Sequence, residues 1–468
     1  TSLFKCLVKA SGMKETIFFY SFCYLLWTVI KFYLAFQNVP VSTVCCDQSI
    51  SILWIVALFS GMWGTYWLSH STWQRYQKNP TVISMERDYK EWNSSFPALT
   101  LCPTTKFDPT ALKNLIESRY AHFNNSDRLE TFLLTLANAT YSSFKDFSDD
   151  YDPISPEEYL SAAYEIRVNF TYNMSNTHIQ ELGTTQLAPI LTEMGICYSF
   201  NSHLAPYYIP GLTLFPMQPL LMGHPMSGET LAQLMNINSG YVVYIHSPND
   251  SADVATTGFE SSMNNFKTVV AVPLTIYSSD EVKQLSVSQR RCRFIHESNL
   301  KISPAYSFKF CRMECRIKLS LKLCGCVPFF YPPSEFQKIR TCFSEEMIKL
   351  NNLNKYNLDC NCLPACDDVS FVIDSATNMY WFLGTNLNVC LVKYPRMRLR
   401  RDLLFGITEV LVSIGGTAGL FLGCSVLSFV EIIYFFSLRL LFFSQTAISI
   451  VSTNPRHDVE TNIFCQLK

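Results

Sequence analysis

Neither sign of charge is in surplus in this 468-residue sequence: 37 Lys and Arg stand against 38 Asp and Glu, a net charge of −1. That balance excludes bulk attraction to nucleic acid or to an anionic surface. Catalytic signatures are missing as well. The eight histidines are scattered with no His-Glu-x-x-His, and neither a phosphate loop nor a dinucleotide fingerprint occurs. Gly423-Cys-Ser425-Val-Leu427 is not a nucleophile elbow, because its fifth residue is not glycine and its setting is apolar and membrane-like. No enzyme activity, catalytic residue, metal site or cofactor is therefore expected.

What is present is organised around Leu411–Phe436, LVSIGGTAGLFLGCSVLSFVEIIYFF, within an apolar run from about Ile407 to Phe443. That run is long enough to cross a hydrocarbon core of about 30 Å even when tilted. An anchor alone would need neither its glycines nor Glu431. Gly415, Gly419 and Gly423 recur every four residues, and Gly416 lies beside the first. One reading is a small-residue packing seam. The other starts at Gly423-Cys424-Ser425, where glycine lets the backbone leave helical geometry and a small hydroxyl residue follows. Inside a membrane, non-helical backbone survives only against protein or a water-filled cavity. Carbonyl rings in such places replace an ion's hydration shell, so this second reading is a pore constriction.

A second apolar run, Ile50–Ser71, is about 20 residues long and uncharged, with Trp63, Trp67 and Trp73 toward one end as in an interfacial aromatic belt. Twelve of the 18 cysteines and six Asn-x-Ser/Thr sequons, at Asn93, Asn124, Asn138, Asn169, Asn173 and Asn249, lie between these two runs. Both features place residues 72–402 in an oxidising, extracellular compartment. Residues 106–190 read as short helices, with an acidic stretch at Asp146–Glu158 that is either a solvated loop or part of a cation-sensing pocket. From Cys197 the pattern turns to strands: Tyr241–His246, Phe266–Tyr277, Val369–Ile373 and Leu387–Val392. An α+β extracellular domain results.

Tyr306–Leu323 reads as a helix with Cys311 and Cys315 on one face, and Cys360 and Cys362 share one face of an extended segment. The spacing suits two rungs between helix and strand. Zinc could use the same residues, but an oxidising compartment favours disulfides. Upstream, Thr16–Phe36 is apolar apart from Lys31 and admits three readings: a third span, an interfacial or re-entrant segment, or translated non-coding sequence. A first residue of Thr1 rather than Met reads as an incomplete gene product or a trimmed chain.

The GGTAGLFLGCSVLSFVEIIYFF run, with its double glycine, its Gly-x-Ser triplet and its Ser428-x-x-Glu431, resembles the second transmembrane segment of the degenerin, epithelial sodium channel and acid-sensing channel superfamily. The likeness is closest to the insect pickpocket branch. Phe96-Pro-Ala-Leu-Thr-Leu-Cys102 matches the family's passage into its extracellular domain, and the resemblance covers residues 50–440. It implies a multi-pass plasma-membrane protein with two principal transmembrane helices, 50–71 and 403–443, flanking a disulfide-rich α+β extracellular domain at 72–402. Residues 1–49 and 444–468 would be cytoplasmic. By the same resemblance Gly423, Cys424 and Ser425 would form the selectivity filter, with Val412, Ser413, Gly415, Gly416, Gly419 and Glu431 at the gate and pore. Ser11-Gly12 stands where the family has a gating His-Gly pair. The implied disulfides are Cys102–Cys197, Cys292–Cys366, Cys311–Cys362, Cys315–Cys360 and Cys326–Cys342, leaving Cys324 and Cys390 as free thiols or bonded to each other. The implied function is a pore-forming subunit of a stimulus-gated, amiloride-sensitive sodium channel. Its partners would be Na⁺, membrane lipid, amiloride-type blockers and related subunits in a homo- or heterotrimer. The alternative is a non-conducting chemosensory receptor or modulatory subunit.

Overall fold

The structure, a computed structural model, describes residues 44–434 apart from 123–125, 148–151, 177–186, 204–219, 332–339, 351–359, 424, 426, 429, 431 and 432. Two compact units emerge, one drawing its described residues from either side of the other in sequence: residues 1–72 with 411–468, and Trp73–Val410.

Among the described residues the larger unit has one short strand pair, Ser94–Ser95 with Met222–Gly223, and two large sheets. One runs in the order Thr81–Glu86, Arg398–Leu403, Asn265–Ser278, Thr385–Leu391, Thr230–Ile237 and Asn173–Asn176, with Asp368–Tyr380 also paired to Asn265–Ser278. The other is Gly258–Ser261, Tyr241–His246, Ala98–Pro103, Gly195–Phe200 and Ala188–Thr192. Strand alternation decides which side chains meet. Val269 lies opposite Val389, and Val389 opposite Ala232, giving a fully buried row across the first sheet. Leu101 and Val243 form the matching pair in the second sheet, and both rows belong to one apolar cluster with Phe96 and Tyr241.

A second cluster is helical. On Ser126–Asn138 the residues Leu129, Phe132, Leu133 and Leu136 fall at i, i+3, i+4 and i+7, so one face is apolar and buried. Phe132 meets Tyr159 at 5.5 Å between ring centres, and Phe144 stacks on Phe330 at 5.7 Å. Of the Asp146–Glu158 stretch, residues 148–151 lie outside the described residues. Its Phe147 and Ile154 are buried, and Asp152 accepts hydrogen bonds from the Tyr159 hydroxyl and from Ser344 Oγ, the latter at 2.6 Å. Sequon residues Asn93, Asn138, Asn169, Asn173 and Asn249 are all exposed, while Asn124 lies outside the described residues.

The helix expected over Tyr306–Leu323 spans Phe308–Cys324. Ser307 caps it by accepting from Lys309 N and Phe310 N, and Gly325 closes it at φ +70°, a left-handed conformation that glycine adopts without penalty. Five disulfides form, Cys102–Cys197, Cys292–Cys366, Cys311–Cys362, Cys315–Cys360 and Cys326–Cys342, the same five pairs that the resemblance implies. One detail differs from expectation. Cys360 and Cys362 lie in irregular backbone rather than a strand, because Asn361 between them turns left-handed at φ +47° and Pro364 offers no N–H to a ladder. Cys324 and Cys390 are unbonded, one at the end of the helix and the other buried on Thr385–Leu391.

Burial raises the pKa of both free thiols, which slows thiolate chemistry at neutral pH. Non-reducing peptide mapping is expected to return the five pairs, with Cys324 alkylated before Cys390 in the native protein and both alkylated after denaturation. A Cys324–Cys342 bond with Cys326 free would refute this framework.

Candidate functional site

The sequence places the functional chemistry on the two apolar runs, and both become helical. Ile50–Ser71 lies inside one 35-residue helix, Val44–Lys78. Phe59, Trp63 and Trp67 on it are exposed, Trp63 to 72%. Two of its hydroxyls bond back to the helix: Thr65 Oγ1 donates to Gly61 O at 2.9 Å and Thr72 Oγ1 to Leu68 O at 3.0 Å. Leu411–Leu422 belongs to a second helix, Ile407–Leu422, of 16 residues.

That helix stops at Gly423. Its N–H still donates to Gly419 O at 3.0 Å, but its φ is +65°, which turns the chain out of the helix and strains any residue with a β-carbon. Ser425 then begins a new turn. Its Oγ accepts from Ser428 N at 3.3 Å while Ser428 Oγ accepts from Ser425 N at 3.3 Å, a reciprocal cap on a helical stretch that includes Leu427 and Ser428. The segment is therefore helix, break, helix, with the break at the Gly-x-Ser triplet. Cys424 and Glu431 lie outside the described residues, as do Ser11, Gly12 and Thr16–Phe36.

Among the described residues no helix is both long and apolar enough to cross a membrane. Of the expected spans 50–71 and 403–443, residues 435–443 lie outside the described residues.

The glycines divide differently from their sequence pattern. A β-carbon on Gly415 or Gly416 would meet nothing within 4 Å, so neither is a packing glycine within one chain. The close approach is made by Gly61 and Gly64 of the first helix. A β-carbon there would sit 3.0 Å from the Phe421 carbonyl oxygen and 3.3 Å from the Phe421 ring respectively. Further along, Thr72 Oγ1 and Ser413 Oγ are 3.4 Å apart, so the two helices run antiparallel in contact. Sequence reasoning missed Gly61 and Gly64, although their i, i+3 spacing was a signal for one helix face. Val412 is 74% exposed and Ser413 and Gly419 are half-buried.

Because the obstruction at Gly61 is backbone, Gly61→Val forces the helices apart, at an overpacking cost of about 1–3 kcal/mol. Thermal melting of the purified protein in detergent is expected to show a lowered midpoint for Gly61→Val and an unchanged one for Gly415→Ala. Equal midpoints would remove the Gly61–Phe421 contact from the account.

Comparison with known proteins bears on the same segments. The "Sodium channel protein Nach" of Drosophila virilis is 29% identical over 238 residues, 45% of this chain and 60% of that protein. The Drosophila melanogaster protein of the same name is 29% identical over 196 residues, 38% of this chain and 37% of that protein. The chain thus spans less than two thirds of the length of these two relatives. The human "Bile acid-sensitive ion channel" is 24% identical over 430 residues, 82% of this chain and 80% of that protein. A cryo-EM structure of a proton-activated chloride channel covers 83% of this chain and 98% of that one at 5% identity, but its TM-score of 0.28 carries no argument. The family described as "Amiloride-sensitive sodium channel" matches residues 41–435, from the first apolar helix through the Gly-x-Ser break. With that match over most of its length, the chain belongs to the amiloride-sensitive sodium channel family, a family of ion channels and not of enzymes, and is a membrane protein with a disulfide-rich extracellular domain.

Proposed function

We propose that the chain is a pore-forming subunit of a sodium-selective, stimulus-gated channel of the plasma membrane. In this reading it is multi-pass, with residues 50–71 and 403–443 as its two spans, cytoplasmic ends at 1–49 and 444–468, and the extracellular domain at 72–402. It assembles with two further subunits, identical or related, and takes amiloride-type blockers. The observation that carries this reading is the break at Gly423, where φ of +65° interrupts an apolar helix and Ser425 starts another. A helix used only as an anchor has no use for such a break. Three copies around an axis would present three short extended segments, hence a ring of carbonyls and small side chains from Gly423, Cys424 and Ser425. Such a ring selects among cations by cavity size and ligand field. Glu431 then faces the pore or a neighbouring subunit, since a carboxylate against lipid costs on the order of 2.5–3.5 kcal/mol. The names of the relatives, a sodium channel and a bile acid-sensitive ion channel, support both ion conduction and an extracellular stimulus.

Voltage clamp of cells expressing the chain alone tests this. Current under an extracellular stimulus is expected. Stable surface protein that never conducts would instead favour a modulatory or chemosensory subunit, a reading to which Ser11 in place of the gating histidine lends weight.

Two substitutions probe the pore itself. Ser425→Cys is expected to shift the reversal potential in mixed Na⁺ and K⁺ while surface level holds, and an unchanged potential in a channel still carrying current would remove Ser425 from the filter. Val412 occupies a position where bulk hinders close packing of three helices, so some resting current is expected, reduced several-fold by Val412→Ala. An unchanged resting current, or none in a channel that otherwise opens, would overturn that role.

A further inference from the structure

The extracellular domain contains a cavity of about 540 Å³ lined by residues of the paired strands Ala98–Pro103 and Tyr241–His246, of the turn at Met194 and of residues 140–142, within the range of small-molecule sites. Its walls include Tyr141, Met194, Val242 and Tyr244, and two ionisable residues, Lys106 and Glu193, also line it. These two are in different situations. Glu193 is saturated: Arg316 Nε and Nη2 donate to its two oxygens at 2.6 and 2.7 Å, the Tyr331 hydroxyl donates at 3.0 Å, and Val254 N donates at 3.3 Å. Lys106 Nζ donates to the Met194 carbonyl at 2.6 Å, one bond from a group that has three to give. Among the described residues no carboxylate pairs with it.

The lysine is also held in place. Its carbonyl accepts from Val168 N at 3.2 Å, which fixes its backbone. Gly195, at φ +94°, leaves room for the ammonium, since a β-carbon there would lie 3.1 Å from Nζ. Burial without a counter-charge lowers the Lys106 amine to about 8. A half-buried cation held in place without a carboxylate partner, beside Tyr141, Val242 and Tyr244, is arranged for an anion with an apolar body.

We propose that this cavity binds a small organic carboxylate, its acid group on Lys106 and its apolar part against Tyr141, Val242 and Tyr244. An inorganic anion would satisfy the ammonium and leave the apolar volume empty. The proposal concerns equilibrium binding, so it stands or falls independently of whether the chain conducts.

The test uses the full chain in detergent, with benzoate as probe and benzamide as its neutral isostere, followed by saturation-transfer NMR and titration. Benzoate is expected to bind about tenfold or more tightly than benzamide, about tenfold or more weakly to Lys106→Met, and within about threefold of wild type to Lys106→Arg. Non-reducing peptide mapping verifies that each variant keeps its five disulfides. Equal binding of benzoate and benzamide, equal binding to Lys106→Met, or no binding at about 10 mM benzoate overturns the proposal. Should Lys106→Met fail to fold, acylation of Lys106 in the wild-type chain by an N-hydroxysuccinimide ester, followed by mass spectrometry, decides. Benzoate and not benzamide must slow it, and an unchanged rate overturns the proposal.

Discussion

The extracellular domain depends on one buried ion pair. Arg316 and Glu193 are 6% and 0% exposed at their side chains, and the guanidinium meets the carboxylate with two parallel hydrogen bonds. Tyr331 completes the carboxylate's shell, and Asp253 stands 3.7 Å from the guanidinium. A desolvated charge is tolerated only when its partner and its remaining hydrogen bonds are all present, so four chain segments must arrive together. The helix Phe308–Cys324 brings Arg316, the hairpin of Ala188–Thr192 and Gly195–Phe200 brings Glu193, and the loops after strand and helix bring Asp253 and Tyr331. Removing one member leaves a buried charge unpaired, at about 3–5 kcal/mol, which exceeds the net worth of most single contacts in the domain.

The same helix is tied covalently on another face. Cys311 and Cys315, four residues apart, bond to Cys362 and Cys360 of the segment that feeds Asp368–Tyr380. The pair and the ladder therefore act on one rod from two sides, the first joining it to the hairpin and the second to the longest strand pair of the other sheet. Disulfides limit the unfolded state and the buried pair penalises partial opening, so the helix is held against both unfolding and swivelling.

What could be read from the residues follows this division between periodic and non-periodic signals. The strands Tyr241–His246 and Phe266–Tyr277, and the helix with two cysteines on one face, were legible because alternation and i, i+4 spacing are local patterns. The Gly-x-Ser break was legible because glycine's left-handed φ is a property of the residue itself. Glu193 and Arg316 were not: 123 residues separate them, and neither carries a local mark of burial. Gly61 and Gly64 were overlooked for a similar reason. Their function is defined by Phe421 of a distant segment, whereas Gly415 and Gly416 look like a seam yet touch nothing in the single chain. Cys360 and Cys362 kept their partners but lost their expected strand, since sulfur positions constrain the chain less tightly than a hydrogen-bond ladder does.

The two strands nearest the apolar helices in sequence are clamped to each other. Thr81–Glu86 pairs residue by residue with Arg398–Leu403, and Leu404 N and Phe405 N both donate to Pro80 O, at 2.7 and 3.1 Å. Glu86 accepts from Arg398 and Arg400 at 2.8 and 3.1 Å; hydrogen bonding from the Tyr277 hydroxyl first, then from these arginines, holds its carboxyl below the usual range. Arg398 lies between the rings of Trp92 and Tyr277 at 4.2 and 4.1 Å, where a planar cation is favoured on both faces. One strand continues the chain leaving Val44–Lys78 and the other leads into Ile407–Leu422, with only Asn79-Pro80 and Leu404–Gly406 between. Neither connection is a long linker, so strand and helix follow one another almost directly on both sides.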